Sequence, residues 1–326
     1  MKRVCLIIPD DKSAYDPMVY PPLGILYIAA SLIRNGIKDI TISDLRSEYD
    51  LNKIPEAEFY MFSAVTPQYN DAKNICKQLR NKYPKAFYVI GGPHVSNMNQ
   101  EWHYTQLALY WDAIVVGEGE SAVIDLISRK QIGIYRKNVP IDKITYPARH
   151  LLHKSSIVSD KLWEGHGYGN GIEATTMITS RGCPYNCAFC ANIPMKVRFT
   201  SIRNVMGEIH QVIEKYNVNH FRFLDDHFTM NLKRLEEFTK AVKGLNISYR
   251  CSARSDKFDE RIAGLLLTSG CKEIGFGIES ADQKVLDLIK KDESVDDHMN
   301  AIRIARRFGL KTKAFFMAGL QTGNRY

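Results

Sequence analysis

Three of the seven cysteines in this 326-residue chain fall within eight consecutive residues, at Cys183, Cys187 and Cys190. A spacing of three and then two intervening residues lets three thiolates converge on one inorganic centre, and soft sulfur ligands suit zinc and iron-sulfur clusters. Three ligands are one too few to close either kind of centre. The loop therefore predicts either a zinc site that borrows a fourth ligand or a cluster with one open position.

The open cluster is the favoured interpretation of this loop. A closed zinc site needs a fourth cysteine or histidine, and the nearest histidines, His166 and His210, lie well away on either side. A disulfide is disfavoured because cysteines so close on a tight loop have poor bridging geometry, and nothing indicates an oxidising compartment. A 4Fe-4S cluster held by three cysteines leaves one iron free for a substrate or cofactor, and zinc remains the alternative.

The composition is that of a globular protein, with 45% hydrophobic and 25% charged residues, and the length suffices for two domains that each bury a core. No apolar run approaches the ~20 residues of a membrane span, and the apolar segment after Met1 is too short for a signal peptide. We therefore expect a cytoplasmic protein. The net charge of +8 suits an acidic substrate or electron donor, but the basic residues are scattered, so nucleic-acid binding is not expected.

The first ~130 residues alternate short apolar strands with helices, which predicts a doubly wound parallel sheet. The predicted strands cover residues 4–8, 40–42, 59–65, 87–90 and 113–116. Ligands of such sheets bind beyond the carboxyl ends of the strands, where small residues let the backbone approach a ligand closely. Three strands end in loops of this kind, at residues 63–66, 91–92 and 117–119. For each loop taken alone, a tight turn between strand and helix is the favoured interpretation.

The pattern Cys183-x3-Cys187-x2-Cys190, with Phe189 before the last cysteine, resembles the signature of the radical S-adenosylmethionine (SAM) superfamily. The predicted strand 175–179 leads directly into it. The resemblance implies that the free iron binds SAM through its amino and carboxylate groups, with Phe189 nearby. It also implies that an electron from a donor such as flavodoxin or ferredoxin cleaves SAM to a 5′-deoxyadenosyl radical.

From residue 174 the strand–helix alternation restarts, with five predicted units and polar residues at the carboxyl ends of strands, the face on which barrel enzymes place their sites. These polar residues are Asp225, Asp226, Ser252, Arg254 and Glu279. A carboxylate can accept hydrogen bonds from ribose hydroxyls, a guanidinium can pair with the methionyl carboxylate, and the aspartates can receive the methionyl ammonium or organise the site around it. For each residue taken alone, a salt bridge or a loop cap is the favoured interpretation, but their order resembles the radical SAM core.

The strand-end loops of the first half, taken in order with residues 21–24, resemble the cobalamin-binding domain that precedes the radical SAM core in one branch of the superfamily. The resemblance implies cobalamin contacts at Pro22, Gly24, Ser63, Thr66, Gly91, Gly92, His94, Gly117, Glu118 and Gly119. The loop after the first strand, residues 9–12, lacks the cobalt-ligating histidine of the best-known cobalamin signature. His94 is the histidine on a strand-end loop, and it is expected to face the cofactor cleft.

The predicted organisation is a cobalamin-binding-like Rossmann domain over residues 1–132, a linker over 133–171 and a radical SAM core over 172–326. The linker contains prolines and a glycine-rich run at 165–171. The core of the family has six strand–helix units, whereas five are predicted here before the sequence ends at residues 319–326. We therefore expect a partial barrel whose open edge is covered by another chain or segment.

The sequence thus predicts a radical SAM enzyme that transfers a methyl group to an unactivated carbon of a small-molecule substrate. By resemblance, methylcobalamin supplies the methyl group and a second SAM renews it. Three alternatives stay open: ring formation or rearrangement without methyl transfer, a radical SAM protein whose first domain no longer binds cobalamin, and a shortened, catalytically silent protein that binds cofactors or partners. No residue pattern identifies the substrate.

Overall fold

The computed structural model describes residues 2–98, 101–163, 171–190 and 196–320, and the chain forms two compact units, Met1–Ser159 and Asp160–Tyr326. Residues 165–170 of the predicted glycine-rich run and residues 321–326 lie outside the described part. No helix in the described ranges is both long enough and apolar enough to cross a bilayer.

Unit 1 is a six-stranded parallel sheet in the order β2-β1-β3-β4-β5-β6, with α-helices between all successive strands except β2 and β3, which a short 3-10 turn at Leu51–Lys53 connects. Its elements are β1 (Arg3–Ile8), α1 (Leu23–Arg34), β2 (Asp39–Asp44), β3 (Phe59–Ser63), α2 (Tyr69–Lys82), β4 (Phe87–Gly91), α3 (Pro93–Ser96), α4 (Glu101–Ala108), β5 (Ala113–Val115), α5 (Ala122–Arg129) and β6 (Gly133–Tyr135). Alternate residues of β1 pack into two different apolar clusters, so the sheet is buried on both faces. The predicted doubly wound parallel sheet is confirmed.

One strand of unit 1 lies inside the stretch that the sequence predicts as a linker. Strand β6 pairs in parallel with β5, from Ala113 opposite Gly133 to Val115 opposite Tyr135. Its three residues are too few to show an apolar periodicity. The domain limits proposed from the sequence stay predictions.

Unit 2 is a five-stranded parallel sheet in the order β13-β12-β11-β10-β7, with a two-stranded antiparallel ribbon, β8 and β9. Its elements are β7 (Ala174–Met177), β8 (Ser180–Arg181), β9 (Arg198–Phe199), α6 (Ile202–Tyr216), β10 (His220–Phe223), α7 (Leu232–Ala241), β11 (Ser248–Ala253), α8 (Glu260–Thr268), β12 (Cys271–Glu279), α9 (Gln283–Leu288), α10 (Val295–Arg307) and β13 (Lys311–Phe316). The five predicted strands of a partial radical SAM sheet are confirmed, and β13 is an edge strand among the described residues.

The two faces of the sheet in unit 2 differ in chemistry. One face packs a cluster of aromatic rings, among them Phe223 and Tyr249, whose centroids are 5.1 Å apart. The register aligns Arg222, Arg250 and Glu273 side by side on β10, β11 and β12, one position out of phase with those rings. Because side chains alternate between faces along a strand, the second face is polar.

Candidate functional site

The start of the cysteine loop is fixed to the sheet of unit 2 by a buried carboxylate. Asp225, directly after β10, accepts hydrogen bonds from the Thr179 N–H (3.1 Å) and hydroxyl (2.7 Å) and from the Ser180 hydroxyl. Burial raises the pKa of Asp225, and these hydrogen bonds and the charge of Arg234 oppose the rise. Of the two roles expected for Asp225, receiving the methionyl ammonium and organising the site, this geometry favours the second.

The three cysteines themselves are unpaired. Cys183 and Cys187 are half-buried and Cys190 is exposed. The Cys190 N–H donates to the Cys187 carbonyl oxygen at 3.0 Å, and the Ala188 N–H donates to the Ile289 carbonyl oxygen at 2.8 Å, which ties the loop to the end of α9. No three His, Cys, Asp or Glu side chains in the described residues are arranged to hold a metal ion. Convergence of the three sulfurs on one centre therefore stays a prediction.

Two cations lie near the cysteine loop. Burial raises the pKa of the Cys187 thiol, and the charges of Lys291 and Arg254 oppose that rise. The Arg254 guanidinium lies 3.7 Å from the centroid of the Tyr185 ring, within the loop. Three soft sulfur donors with cations nearby fit a 4Fe-4S group by the chemistry of the donor set.

A group of five charged side chains, hereafter the charged cluster, lies next to the loop. It consists of Arg254, Asp256, Glu279, Lys291 and Glu293. Arg254 binds Asp256 through Nε (3.0 Å) and donates to the carbonyl oxygens of Lys291 and Asp292 (2.9 Å each). The guanidinium predicted to pair with the methionyl carboxylate thus already holds several protein partners.

Lys291 is the centre of the charged cluster. Only 6% exposed, it places Nζ 3.1 Å from Glu293 Oε2 and 3.7 Å from Glu279 Oε1. Lys290 and Asp292 on either side have φ of 52° and 53°, a left-handed conformation that costs free energy in residues other than glycine. Sequence analysis missed Lys291 and Glu293 because residues 290–293 look like a solvated charged run, and the paired positive φ angles are not legible from the sequence.

Glu279 reaches Lys291 because β12 is irregular at its carboxyl end. The pairing with β13 shifts register between Gly277 and Glu279, and Glu279 has φ of 62°. A Cβ on Gly277 would stand 2.7 Å from Glu279 Oε1 and 2.9 Å from Lys291 Nζ, so glycine leaves room for the ion pair. Burial raises the pKa of Glu279, and Lys291 opposes the rise. The bulge therefore aims this predicted SAM residue into the charged cluster.

The other predicted SAM residues have weaker structural support. Asp226 is exposed and lies near the loop, since burial raises the pKa of Cys183 and the charge of Asp226 adds to that rise. Ser252 is half-buried on β11, with its hydroxyl 3.3 Å from the position a Cβ on Gly275 would take. Phe189 is half-buried within the loop. Their contacts to SAM stay predictions.

His227 is a further residue that the sequence analysis did not single out. It is 3% exposed, one ring nitrogen, Nε2, lies 3.1 Å from the Thr229 hydroxyl, and its ring centroid is 6.5 Å from that of Tyr185. Burial lowers its pKa to about 4, with the charge of Arg254 acting in the same direction. A neutral imidazole therefore borders the loop.

In unit 1 the structure brings the predicted strand-end loops together. The Ala64 N–H donates to the Gly91 carbonyl oxygen (3.2 Å) and the His94 N–H to the Ala64 carbonyl oxygen (3.0 Å). The Ser96 hydroxyl donates to the Gly92 carbonyl oxygen and accepts from the Gly117 N–H, both at 2.9 Å. Three of the loops predicted to contact cobalamin therefore form one connected edge.

Two of the predicted glycines are explained by packing of the protein itself. Gly92 has φ of 96°, and a Cβ there would lie 2.7 and 2.8 Å from the backbone nitrogen and oxygen of Ala64. A Cβ on Gly119 would lie 2.6 Å from Ile28 Cδ1. By contrast, Gly24 and Gly117 have open space around the position of a Cβ. Pro22 precedes the first turn of α1, and Glu118 is half-buried.

His94 packs against its neighbours in the connected edge. Its Nδ1 lies 3.2 Å from the Thr66 hydroxyl, and its ring stacks on Tyr69 with centroids 4.2 Å apart. Nε2 is shielded from solvent and has no hydrogen-bond partner among the described residues. Burial lowers the pKa of the imidazole. These contacts give His94 a part in shaping the loop, and its contact with cobalamin stays a prediction.

Two family models match the chain. The model of the B12 binding domain matches residues 14–127, and that of the Radical SAM superfamily matches residues 177–324. The second match contains the cysteine loop and the charged cluster, and the first contains the connected edge of unit 1. The superfamily implies a 4Fe-4S cluster and SAM, and the B12 binding domain implies cobalamin.

Relatives with both regions are found among characterised and uncharacterised proteins. The chain is 29% identical to an uncharacterized methyltransferase of Pyrococcus horikoshii, over 97% of this chain and 74% of the relative. It is 25% identical to an anaerobic magnesium-protoporphyrin IX monomethyl ester cyclase of Cereibacter sphaeroides, over 92% of this chain and 54% of the relative. The chain thus spans from about half to three quarters of these proteins.

The fold matches a solved structure along nearly its whole length. The radical SAM methyltransferase TsrM from Kitasatospora setae, solved with cobalamin and a [4Fe-4S] cluster bound, has a TM-score of 0.73 at 15% identity. The alignment covers 98% of this chain and 70% of TsrM. Together the two family models match most of the chain, which thus carries a B12 binding domain followed by a domain of the Radical SAM superfamily.

Proposed function

We propose that this protein uses a 4Fe-4S cluster, SAM and cobalamin to transfer a methyl group to an unactivated carbon of a small-molecule substrate. The observation that carries the proposal is the cysteine loop, where three unpaired cysteines follow a parallel strand and Cys187 lies near the cations Arg254 and Lys291. The B12 binding domain supports the cobalamin part. The relative from Pyrococcus horikoshii, a methyltransferase by name, supports methyl transfer.

Each group of residues has a distinct task in this proposal. The three cysteines hold the cluster, and Asp225 holds the start of their loop. In the charged cluster, Arg254 pairs with the methionyl carboxylate, Lys291 holds the Glu279 side chain by an ion pair, and Glu279 accepts hydrogen bonds from the ribose hydroxyls. The neutral His227 provides a hydrogen-bonding group beside Tyr185 without adding charge next to the loop. When bound, the cofactors supply a 5′-deoxyadenosyl radical and a methyl group carried on cobalt.

The first test is cofactor content and SAM cleavage. Anaerobically reconstituted protein is assayed for iron, sulfide and cobalt, and then incubated with SAM and a low-potential reductant such as flavodoxin or ferredoxin. We expect about four irons per chain, one cobalamin and formation of 5′-deoxyadenosine. Zinc in the cysteine loop, or no 5′-deoxyadenosine from iron-loaded protein, contradicts the proposal and favours the catalytically silent alternative.

Ring formation is the second candidate, favoured by the similarity to the anaerobic cyclase. SAM labelled in its methyl group separates the two reactions, because only methyl transfer moves label into a small-molecule product. In lysate fractions from a cell that makes this protein, methyl transfer predicts a labelled product that requires the reconstituted enzyme. Abundant 5′-deoxyadenosine with an unlabelled, altered small molecule supports ring formation instead.

A further inference from the structure

A single arginine of helix α7 joins the two ends of the cysteine loop. Arg234, 8% exposed, places Nη2 3.1 Å from the Thr179 carbonyl oxygen and 3.3 Å from the Thr200 carbonyl oxygen. Its Nε lies 3.4 Å from the same Thr200 oxygen. Thr179 comes before the first cysteine and Thr200 comes after the last. One rigid, planar group therefore contacts the chain both where it enters and where it leaves the loop.

The two ends also pair with each other, and residues 179–181 and 198–200 are called the loop stem here. The Thr200 N–H donates to the Thr179 carbonyl oxygen at 2.9 Å, and Ser180 pairs with Phe199 in the β8–β9 ribbon. The Arg234 guanidinium covers the Phe199 ring at 5.3 Å from its centroid. The ribbon has only two residues per strand, too few to be stable alone, so its geometry depends on side chains that grip it.

Asp225 holds the same stem through other atoms. It accepts from the N–H and the hydroxyl of Thr179, while Arg234 donates to the Thr179 carbonyl oxygen. Every polar group of Thr179, which is 1% exposed, is therefore bonded. Arg234 and Asp225 carry opposite charges near this one residue, so each offsets part of the cost of burying the other.

Local helix formation does not explain why Arg234 is buried. Helix α7 already has an N-cap, since the Asn231 side chain accepts a hydrogen bond from the Arg234 N–H at 3.0 Å. That cap uses only the backbone N–H of Arg234, so it does not fix the direction of the side chain. Lysine could not replace it, because a single ammonium lacks the fork of donors that reaches two carbonyl oxygens at once. The Arg234 side chain thus binds the carbonyl oxygens of the loop stem.

We propose that Arg234 is a positioning residue for the cysteine loop, acting as a clamp that holds the two sides of the loop stem together. It closes the stem before any iron is bound, so that Cys183, Cys187 and Cys190 are presented together on a loop of fixed ends. Fixing the ends lowers the conformational entropy that the loop must lose when a cluster assembles. The inference rests on the proposed function only for the identity of the group that the cysteines hold.

Amide hydrogen exchange in the full-length, iron-free chain tests the clamp directly. In Arg234→Met we expect the amides of Thr179 and Thr200 to exchange faster by about tenfold or more, because the stem opens more often once the hydrogen bonds from the Arg234 guanidinium to the two carbonyl oxygens are lost. Arg234→Lys should give an intermediate rate. Arg261→Met is the matched control, because Arg261 is an exposed arginine of α8 whose partner is Glu236. The stem amides of this control variant should exchange as in the wild type.

The pattern of exchange across unit 2 decides the outcome. Faster exchange confined to the stem, with amides of β12 unchanged, supports the clamp, and wild-type stem rates in Arg234→Met overturn it. If Arg234→Met loses protection throughout unit 2, Arg234→Lys is decisive. Stem amides that exchange faster in that folded variant support the inference, and wild-type rates refute it.

A second measurement uses the reconstituted protein. We expect Arg234→Met to bind less iron than the wild type, and its reduced cluster to give a broadened electron paramagnetic resonance signal whose shape changes less on addition of SAM. Arg234→Lys should recover part of both. Iron content and spectra equal to the wild type would contradict the positioning role. If the wild type itself binds no iron, the proposed function fails, while the exchange experiment still tests the clamp.

Discussion

At the residue scale, the charged cluster depends on one buried lysine placed between two carboxylates. We expect Lys291→Met to lower the free energy of unfolding by about 3–5 kcal/mol, because it leaves Glu279 and Glu293 buried without their shared cation. The neighbouring Lys290→Met is the control, since Lys290 is exposed, and its effect should stay below about 0.5 kcal/mol. Urea-induced unfolding measures both variants. Equal stability of the two would remove Lys291 from the centre of the cluster.

A second residue-scale prediction concerns pH. The pKa of His227 is lowered from 6.5 to about 4, so between these values the unfolded chain binds a proton that the folded chain does not. The contribution of His227 to stability is therefore present above pH 6.5 and is lost as the pH falls toward 4. Between pH 7 and pH 5 this loss amounts to about 2 kcal/mol.

His227→Gln isolates that contribution, because glutamine keeps a hydrogen-bonding group and does not titrate. Unfolding by urea at pH 7 and pH 5 gives the difference between wild type and variant at each pH. The comparison is needed because burial raises the pKa values of Asp225 and Glu279, which act in the opposite direction. An equal loss of stability in both proteins would mean that His227 is protonated at its ordinary pKa.

Single residues at strand ends could be predicted from the sequence, but their partners could not. Arg254 and Glu279 were found because each follows an apolar strand, and parallel strands bring their carboxyl ends to one edge. Lys291 joins them from a segment between two helices, where no periodicity marks it. Arg234 lies on a helix whose other charged residues are mostly exposed, so its burial becomes evident only when the loop stem is seen against α7.

At the element scale, the turn after β4 requires glycine for the fold itself. We expect Gly92→Ala to lower the free energy of unfolding by about 3 kcal/mol or more, because φ is 96° and the added Cβ would overlap the Ala64 backbone. Gly264→Ala is the contrasting control. It lies inside α8 with a Cβ position 3.6 Å from Phe308 Cε1, an ordinary contact, and should gain about 0.5–1 kcal/mol. Thermal unfolding compares the two, and a stable Gly92→Ala variant would refute the close contact.

The turn after β4 also shows which features of an element can be predicted from sequence patterns and which cannot. The strands of both sheets could be predicted because buried parallel strands are short, nearly continuous apolar runs separated by helical stretches. The role of Gly92 could not, because a glycine that approaches a ligand and a glycine that approaches its own chain look alike in a sequence. Strands β6, β8 and β9, with two or three residues each, carry no periodic signal at all.

At the scale of the whole molecule, the chain combines two compact units, and the residues predicted to hold the two cofactors lie in different units. The connected loop edge lies in unit 1, and the cysteine loop, its stem and the charged cluster lie in unit 2. Each unit has its own sheet and its own buried core. The two cofactors should therefore bind independently, and a defect in one site should leave the other intact.

Two variants test this independence in opposite directions. Replacing Cys183, Cys187 and Cys190 together by alanine should reduce iron to background, while hydroxocobalamin still raises the midpoint of thermal unfolding. With cobalamin at 100 times its dissociation constant, the stabilisation should be about 2.7 kcal/mol, as in the wild type. Gly92→Ala should lose that stabilisation and keep its iron. Cys76→Ser, a change at a buried cysteine of α2, controls for nonspecific effects of cysteine replacement.

The comparison of the triple cysteine variant with Gly92→Ala is decisive because each variant serves as the folding control for the other. A triple cysteine variant that loses both cofactors, with Cys76→Ser retaining both, would mean that the cluster loop is needed to form the cobalamin edge. A Gly92→Ala variant that loses iron would mean that the cobalamin edge is needed to form the cluster site. Either outcome would replace two independent sites by one coupled site. Retention of iron without the three cysteines would place the metal elsewhere in the chain and remove the basis of the proposed chemistry.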